Sequence, residues 1–382
     1  MLTLTPFYPS RKDERGAFVP DPLGVLEEMG VCCSVLAVQP WYKERVRVSE
    51  GAASASWVRY PAWPGNLGLA SAGRFLYWRL RNRVRRLHRA KPIHILHAHA
   101  ALPCGEAARL LGRELGVAVV VTVHGLDAYF TEQVGGIAGE YCASGCRRVY
   151  QEAVHVICIS EEVRRQVLMR TPELQSTKVV YNGVNTTVFA PVQPRQNTDP
   201  VIASVGSLIP IKGHGVTLRA IAELCGEFPA IRARIVGEGV ELHRLQALAR
   251  DLGIAERVEF LGRRTREEVA ELLRESEIFA LPSRYEGLGV AYLEAMASGL
   301  PTIAYRGQGI QEVIRHAENG ILITEQSDET APRAWAAVLR MLLRNDEMRR
   351  TLGAAARRTV TKGYTLRHQA QALLHVYQET LA

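Results

Sequence analysis

The sequence predicts an α/β protein made of two Rossmann-like domains, each with a parallel sheet. Short β-branched segments alternate with helical patterns along the whole chain, as they do in strand–helix–strand units. A length of 382 residues suits two domains of about 150–200 residues each. With 47% apolar and 23% charged residues, the composition is that of an ordinary globular protein.

Hydrophobic periodicity places the clearest elements. Strands in the first half are expected at Ser34–Val38, Ile93–His97, Val117–Val123 and Val154–Ile159. Strands in the second half are expected at Val201–Val205, Arg232–Val236, Val258–Phe260, Ile278–Leu281 and Pro301–Ala304. Helices are expected at Glu106–Leu115, Thr217–Glu227, Glu241–Leu252 and Arg266–Arg274.

A proline-rich segment of low apolar content, Phe189–Pro200, is expected to link the two domains. We therefore expect an N-terminal domain over residues 1–190 and a C-terminal domain over residues 191–364. The last segment, 365–382, contains an apolar-striped helix that is expected to pack back on the N-terminal domain.

The cysteine pattern indicates reduced thiols. The seven cysteines are odd in number and irregularly spaced, which argues against a disulfide framework and for a reducing compartment. The first residues, MLTLTPFYPS, lack the basic and apolar regions of a secretory signal. No apolar run approaches the roughly 20 residues of a membrane span. We therefore expect a cytoplasmic protein.

Positive charge is concentrated in the first half. Residues 1–190 contain 23 Lys and Arg against 16 Asp and Glu, whereas the remainder contains 24 against 23. The helical pattern at Phe75–Lys91 carries seven basic residues. One interpretation is docking to an anionic membrane, such as the inner face of the cell membrane, or to a lipid-linked acceptor. The other is the solvated face of a packed helix. Nucleic acid is not expected as a partner, because no nucleic-acid-binding motif is present.

The segment Ile278–Ile310 carries the most informative chemistry. A buried strand is expected to end at Pro282, followed by a loop with Glu286 and a helix that begins near Gly287–Gly289 and carries Glu294. Free amides at the helix start favour a diphosphate, and ionised carboxylates accept paired hydrogen bonds from sugar hydroxyls. The alternative is an ordinary helix with an acidic N-terminus. Apolar neighbours would then bury Glu294 without a partner.

Two further strand ends carry candidate binding residues. Lys212 follows a strand that ends in Gly206 and precedes a helix, so its ammonium could bind a phosphate; a surface lysine is the alternative. His124 lies at the end of another strand, where parallel sheets bind ligands, although a lone histidine is more often structural. His97 and His99 could hold a metal, but no third ligand is evident, and structural or acceptor-lining roles are favoured.

Several cofactor motifs are absent from the sequence. There is no Asp-x-Asp pair for a divalent cation, no Gly-x-Gly-x-x-Gly for a dinucleotide and no P-loop. We therefore expect neither a metal nor another cofactor.

Together these stretches resemble the family-four group of retaining glycosyltransferases. That family has the GT-B fold, in which two Rossmann-like domains face each other across a cleft. The most specific element is the Glu286 and Glu294 pair, spaced E-x7-E within SRYEGLGVAYLEAMASGLPTIA. The resemblance covers nearly the whole chain through VHGLD, YNGVN, VGSLIPIKG, GEG, VEFLGR and RGQGIQEVI.

The resemblance implies a role for each matched residue. Glu286 would hold the donor sugar, Glu294 the ribose hydroxyls and Lys212 the diphosphate. His124 would face the sugar, and with Glu286 it is the expected catalytic residue. Contacts with the nucleotide or its phosphates are implied for Gly16, Gly206, Arg263, Leu288, Gly289 and Val290.

This chain also departs from the family pattern. Ser207 and Ile211 stand where relatives carry an arginine for the diphosphate, Gly16 stands alone where a Gly-Gly pair is usual, and Asn185 replaces an aspartate. These departures affect the details of the phosphate site more than the family assignment.

The resemblance implies transfer of a hexose from a nucleotide-diphosphate sugar to a glycan or lipid-linked acceptor, with retention and without a metal. The overall similarity is to enzymes of bacterial cell-surface polysaccharide biosynthesis, which favours a UDP-sugar as donor and places GDP-mannose second. The alternatives are a GT-B sugar-nucleotide epimerase and a non-catalytic sugar-nucleotide-binding protein.

Overall fold

Contacts divide the chain into two units. Unit 1 comprises Met1–Gly183 and Leu366–Ala382, and unit 2 comprises Val184–Thr365. The computed structural model describes residues 1–9, 16–43, 54–63, 68–125, 136–191 and 199–382. No helix in these ranges has the length and apolar character needed to cross a membrane.

Unit 1 contains a seven-stranded parallel sheet in the order β3-β2-β1-β4-β5-β6-β7. The strands are β1 (Leu2–Thr5), β2 (Ser34–Pro40), β3 (Ser54–Tyr60), β4 (Ile95–His99), β5 (Ala118–Val123), β6 (His155–Cys158) and β7 (Thr177–Val179). The helices are α1 (Pro20–Glu28), α2 (Leu69–Ala90), α3 (Glu106–Leu115), α4 (Gly136–Glu152) and α5 (Glu161–Arg170), with the C-terminal α12 (Leu366–Leu381).

Unit 2 contains a six-stranded parallel sheet in the order β10-β9-β8-β11-β12-β13. The strands are β8 (Val201–Val205), β9 (Arg232–Val236), β10 (Val258–Gly262), β11 (Ile278–Ala280), β12 (Thr302–Tyr305) and β13 (Ile321–Ile323). The helices are α6 (His214–Leu224), α7 (Leu242–Asp251), α8 (Arg266–Arg274), α9 (Val290–Ala297), α10 (Ala331–Leu343) and α11 (Asp346–Gly363).

The C-terminal helix completes the core of unit 1. Leu373 and Val376 of α12 are buried in the same cluster as Leu23 and Leu26 of α1. Burying four large aliphatic side chains contributes about 1.5–3 kcal/mol each. This apolar stripe explains why the end of the chain returns to the first unit.

The segment before the predicted linker belongs to unit 2. The Val184 N–H donates to the Tyr364 carbonyl oxygen at 2.9 Å, and Phe189 is fully buried. The Arg357 guanidinium donates to the Phe189 carbonyl oxygen at 2.6 Å. Residues 192–198 of the predicted linker lie outside the described residues. The contacts of residues 184–191 therefore place the division a few residues before 190.

Each strand predicted above lies within two residues of its predicted bounds, whereas the outer strands β3, β7 and β13 were not anticipated. The basic helix begins at Leu69, six residues before the predicted start at Phe75. The prediction missed its first turns because they consist mainly of small, neutral residues, which show no pattern of charged and apolar positions. Helix α6 begins at His214, directly after Gly213 in the left-handed conformation.

Candidate functional site

The carboxyl ends of β8 and β11 mark the point where strand order reverses in the sheet of unit 2. These two strands are neighbours, with β9 beside β8 and β12 beside β11. In open parallel sheets, ligands bind in the crevice at such a switch point. Residues 206–213 follow β8 and residues 281–289 follow β11, so both loops emerge there.

Backbone contacts hold these two loops together. The Arg284 N–H donates to the Ile211 carbonyl oxygen at 2.8 Å. Gly213 has a φ of +67°, and a Cβ atom there would lie 2.1 Å from the Pro282 carbonyl oxygen. Glycine alone fits both the conformation and the close approach. The position of Lys212, one residue earlier, is therefore set relative to the second loop.

An ion pair also joins the loops. Lys212 Nζ lies 2.7 Å from Glu286 Oε1, and the side chains are 21% and 10% exposed. The Glu286 N–H donates to Gln308 Oε1 at 3.1 Å, and its carbonyl oxygen accepts from the Gly309 N–H at 3.0 Å. A carboxylate held in this way beside a partly exposed ammonium offers an acceptor for hydroxyl groups and a cation for an anionic ligand.

Helix α9 begins directly after the second loop. Gly289 precedes it with a φ of +86°, and Val290 is its first residue. Amides in the first turn of a helix have no partner within that helix, so Leu288, Gly289 and Val290 supply the backbone where an anion would bind. The buried Tyr292 fixes this helix start, because its hydroxyl donates to the Leu281 carbonyl oxygen at 2.6 Å.

Glu294 lies in the second turn of α9 and is half-buried. Its apolar neighbours Leu293 and Ala297 are fully buried. Under the alternative of an ordinary helix, these neighbours were expected to bury Glu294, and the half-buried position of this residue agrees with that expectation in part.

A buried histidine that the sequence did not single out lies beside the first loop. His214 is 2% exposed, and its Nδ1 lies 3.1 Å from Ser204 Oγ. A Cβ atom at Gly206 would lie 3.8 Å from His214 Nε2. Burial lowers the pKa of His214 to about 4, so its ring is neutral at physiological pH. The sequence signal was its place directly after the loop, which does not distinguish a buried ring from an exposed one.

Arg263 lies apart from the two loops, after β10. Its guanidinium forms an ion pair with Glu238, with an N–O distance of 2.9 Å. Glu238 follows β9, and the preceding Gly237 N–H donates to the Gly262 carbonyl oxygen at 2.8 Å. This exposed pair therefore lies at the carboxyl ends of neighbouring strands, on the same edge of the sheet as Lys212 and Glu286.

Unit 1 carries three histidines at the carboxyl ends of β4 and β5. His99 Nδ1 and His124 Nε2 are 2.9 Å apart, and their rings stack at a centroid distance of 5.1 Å. His97 Nε2 lies 2.7 Å from Thr122 Oγ1, and its Nδ1 lies 2.7 Å from the hydroxyl of Tyr377 on α12. The histidines are thus linked to each other and to the C-terminal helix.

Burial keeps these histidines uncharged. It lowers the pKa of His97 and of His124 to about 3, and it holds the pKa of His99 well below its ordinary range. Each ring can therefore offer hydrogen bonds but carries no charge at physiological pH. Within the described ranges, no group of three His, Cys, Asp or Glu side chains is arranged to hold a metal ion.

Gly16 lies close to the same edge of unit 1. It has a φ of +97°, and a Cβ atom there would lie 2.8 Å from the Phe7 carbonyl carbon. The ring of Phe7 packs against His124 with a centroid distance of 5.5 Å, and Phe18 does so at 4.8 Å. Arg15 of the RGAFV motif and the Leu-Asp end of VHGLD lie outside the described residues.

The structure therefore groups the predicted residues by unit. Those of unit 2 lie on one edge of its sheet, and those of unit 1 lie on the matching edge of the other sheet. The unit 2 set is Gly206, Lys212, Arg263, Glu286, Leu288, Gly289, Val290 and Glu294, and the unit 1 set is Gly16 and His124.

Comparisons with known proteins agree with this arrangement. The family profile described as Glycosyltransferase Family 4 matches residues 26–188, and the profile described as Glycosyl transferases group 1 matches residues 186–359. A D-inositol 3-phosphate glycosyltransferase from Corynebacterium diphtheriae is 30% identical over 286 residues, which cover 69% of this chain and 65% of that protein.

Several solved structures resemble the whole chain, among them the two that follow. Sucrose-phosphate synthase from Thermosynechococcus elongatus superposes with a TM-score of 0.80 at 19% identity, covering 99% of this chain and 98% of the other. Anabaena HepE in complex with UDP and glucose superposes with a TM-score of 0.76 at 18% identity, covering 99% of each chain. At these identities the likeness shows the fold alone. The chain has the GT-B fold and belongs to the group 1, family-four glycosyltransferases.

Proposed function

We propose that this glycosyltransferase moves a hexose from a nucleotide-diphosphate sugar to a glycan or lipid-linked acceptor, with retention of anomeric configuration and without a metal ion. The observation that carries the proposal is the Lys212–Glu286 pair, 2.7 Å apart at the switch point of unit 2. One ammonium and one carboxylate at that point match the diphosphate and the hydroxyl groups of a nucleotide sugar.

Unit 2 would bind the donor. Lys212 and the amides at the start of α9 would stabilise the charge that develops on the departing diphosphate. In other transferases a metal ion provides this stabilisation. Glu286 would accept hydrogen bonds from the sugar hydroxyls, and Glu294 from the ribose hydroxyls. The Arg263–Glu238 pair lies on the same edge and would contact the base.

Unit 1 would bind the acceptor. His124 is neutral and held by His99, so it would position a sugar or acceptor hydroxyl by hydrogen bonding rather than by charge. In the proposed transfer, the acceptor oxygen bonds to the anomeric carbon as the bond from that carbon to the diphosphate oxygen breaks. The acceptor proton passes to the departing diphosphate.

We propose a UDP-sugar as donor and GDP-mannose as the second candidate. The solved structure of HepE with UDP and glucose supports the first choice, as does the similarity of the sequence motifs to bacterial cell-surface polysaccharide enzymes. We further propose a cytoplasmic location, because the seven cysteines are free thiols.

Calorimetry tests the donor site directly. UDP, GDP and ADP would be titrated in the presence of EDTA into the wild-type protein and into Glu294→Ala, with Glu318→Ala as the matched control because Glu318 is exposed. We expect one diphosphate to bind, with at least a tenfold loss of affinity in Glu294→Ala and none in the control. Absence of binding by all three would contradict the proposed donor site.

A transfer assay distinguishes the enzyme from its alternatives. The donor identified by calorimetry would be incubated with acceptor glycans, and proton NMR would report the anomeric configuration of the product. Product of inverted configuration would contradict the proposed retention. Epimerised donor without any transfer product would instead indicate a sugar-nucleotide epimerase.

A further inference from the structure

Helix α2 presents a face that combines arginine and aromatic side chains. Trp78 is 62% exposed and Phe75 is 40% exposed. The exposed side chains recur mainly at intervals of three and four residues, which places them on one side of the helix. We refer to Arg74, Phe75, Trp78, Arg79, Arg86 and Arg89, all exposed, as the arginine–aromatic face.

The opposite side of α2 packs against the rest of unit 1. Leu76, Leu80 and Val84 are completely buried. Arg85 forms an ion pair with Glu114 on α3, so this arginine has a structural role. The arginine–aromatic face has no such role, because α2 contains no Asp or Glu and no described carboxylate forms an ion pair with its four arginines.

Two further tryptophans are exposed near the start of α2. Trp41, after β2, is 57% exposed, and Trp63, after β3, is 70% exposed. The Trp41 indole N–H donates to the Ala62 carbonyl oxygen at 3.0 Å, and Gly68, which precedes α2, packs against the Trp63 backbone. With Trp78, three of the five tryptophans of the chain are thus exposed in unit 1. Exposed aromatic surface of this kind marks an interaction site.

We propose that the arginine–aromatic face docks unit 1 on an anionic lipid bilayer. A helix with one apolar face packed, and with arginine and tryptophan on the other, has the composition of a segment that lies in a membrane interface. The Arg81 guanidinium stacks on the Trp78 ring at 4.3 Å, which keeps positive charge at the level of the indole. The exposed Trp78 and Phe75 rings beside the arginines favour the interface of a lipid bilayer, where aromatic side chains lie at the level of the headgroups, over the polar backbone of a nucleic acid. This proposal does not rest on the proposed transfer reaction.

Vesicle flotation without donor or acceptor tests the docking. Vesicles of phosphatidylcholine alone would be compared with vesicles of phosphatidylcholine and phosphatidylglycerol in equal parts, at low and high salt. We expect binding that requires phosphatidylglycerol, weakens with salt, and shifts the tryptophan emission to shorter wavelength. A short duplex DNA would serve as the soluble polyanion, and the binding of the protein to it would be measured separately at the same two salt concentrations.

Two variants separate the charged and aromatic contributions. Arg74→Glu/Arg79→Glu/Arg86→Glu should lower vesicle binding by roughly 100-fold, since each surface arginine adds about a fivefold factor. Trp78→Ala should lower it by about tenfold and reduce the emission shift. The matched control is Arg333→Glu/Arg350→Glu/Arg358→Glu, which reverses three exposed arginines of unit 2 and should bind as the wild type does.

Equal losses in both triple variants would contradict a specific face and indicate a net-charge effect. Unchanged vesicle binding in Arg74→Glu/Arg79→Glu/Arg86→Glu would also overturn the proposal. Tight binding to DNA with none to phosphatidylglycerol vesicles would assign the face to nucleic acid instead. Circular dichroism melts of all variants would verify that each retains the wild-type fold.

Discussion

The two units have the same strand order around their switch points but different chemistry at them. In unit 2, the loops after β8 and β11 hold the charged pair Lys212–Glu286. In unit 1, the matching edge after β4 and β5 holds stacked neutral histidines, and His124 packs against the rings of both Phe7 and Phe18. One topology therefore supports an ionic site in one unit and an uncharged aromatic site in the other.

The difference arises from burial. Lys212 keeps partial access to solvent, and its charge is balanced by a carboxylate at hydrogen-bond distance. Burial of the His97, His99 and His124 rings in unit 1 makes their charged forms unfavourable. A diphosphate would thus find its cation in unit 2, whereas unit 1 would offer hydrogen bonds and apolar ring surface.

The largest expected effect is the loss of transfer activity in the Glu286→Ala variant. Removing this carboxylate leaves Lys212 unpaired and takes away the acceptor for the sugar hydroxyls, so we expect the rate to fall by at least about 1000-fold. His124→Ala, at the uncharged edge of unit 1, should cost only about 10- to 100-fold. Steady-state release of the nucleotide diphosphate would measure both. Glu318→Ala is the control. A transfer rate of Glu286→Ala within tenfold of the wild-type rate would contradict the role assigned to Glu286.

The second-largest effect is expected from Gly213→Ala, which tests how the contact between the loops after β8 and β11 determines the site of unit 2. Gly213→Ala adds a Cβ atom 2.1 Å from the Pro282 carbonyl oxygen, so the two loops must separate. We expect a loss of about 2–4 kcal/mol in the free energy of unfolding, together with loss of nucleotide binding. Urea denaturation and calorimetry would measure the two effects.

Gly253→Ala is the matched control for this variant. Gly253 has a similar φ of +69°, but a Cβ atom there would meet nothing within 4 Å. It should therefore cost only the conformational strain, about 1 kcal/mol, and leave nucleotide binding intact. Equal effects of the two substitutions would mean that backbone strain, and not the close approach of the loops, determines the site.

The smallest effect is on stability in mild acid. The pKa of His97 lies at about 3 in the folded chain, below the ordinary value of about 6.5. Between these values the unfolded chain binds more protons, so stability falls as pH falls through this window, by up to about 1.4 kcal/mol per pH unit for each such ring. In unit 1 burial also lowers the pKa of His99, His124 and His155, and in unit 2 it lowers that of His214.

Hydrogen exchange with mass spectrometry would follow both units as pH is lowered from 7 toward 4. Amides of β4 and β5 should lose protection at higher pH than those of β8 and β11, because more buried imidazoles must charge in unit 1. Earlier loss of protection in β8 and β11 would contradict the neutral state assigned to the histidines of unit 1.

Much of the fold could be predicted from the pattern of residues. The strands Val201–Val205 and Ile278–Ala280 begin where their apolar runs begin, because a strand buried in a parallel sheet needs a largely continuous apolar run. The outer strands β3, β7 and β13 could not be predicted in the same way. They are short or partly polar, and their pairing comes from a neighbouring strand rather than from their own composition.

The candidate site divides along similar lines. Glu286, Lys212 and Gly289 were identified because they lie between a buried strand and a helix, and because their order along the chain resembles a family pattern. His214 was missed, since a histidine in sequence carries no sign of whether its ring is buried. The paired roles of His99 and His124 were also missed, because 25 residues separate them along the chain.

The sequence by itself determined two α/β domains, the glycosyltransferase family and the residue types at the strand ends, because periodicity and motif order are local properties of the chain. The tertiary structure alone decided which residues pair and which of the polar residues are buried. Ion pairing and pKa shifts depend on distance and on access to water, and both are created only when distant segments pack together.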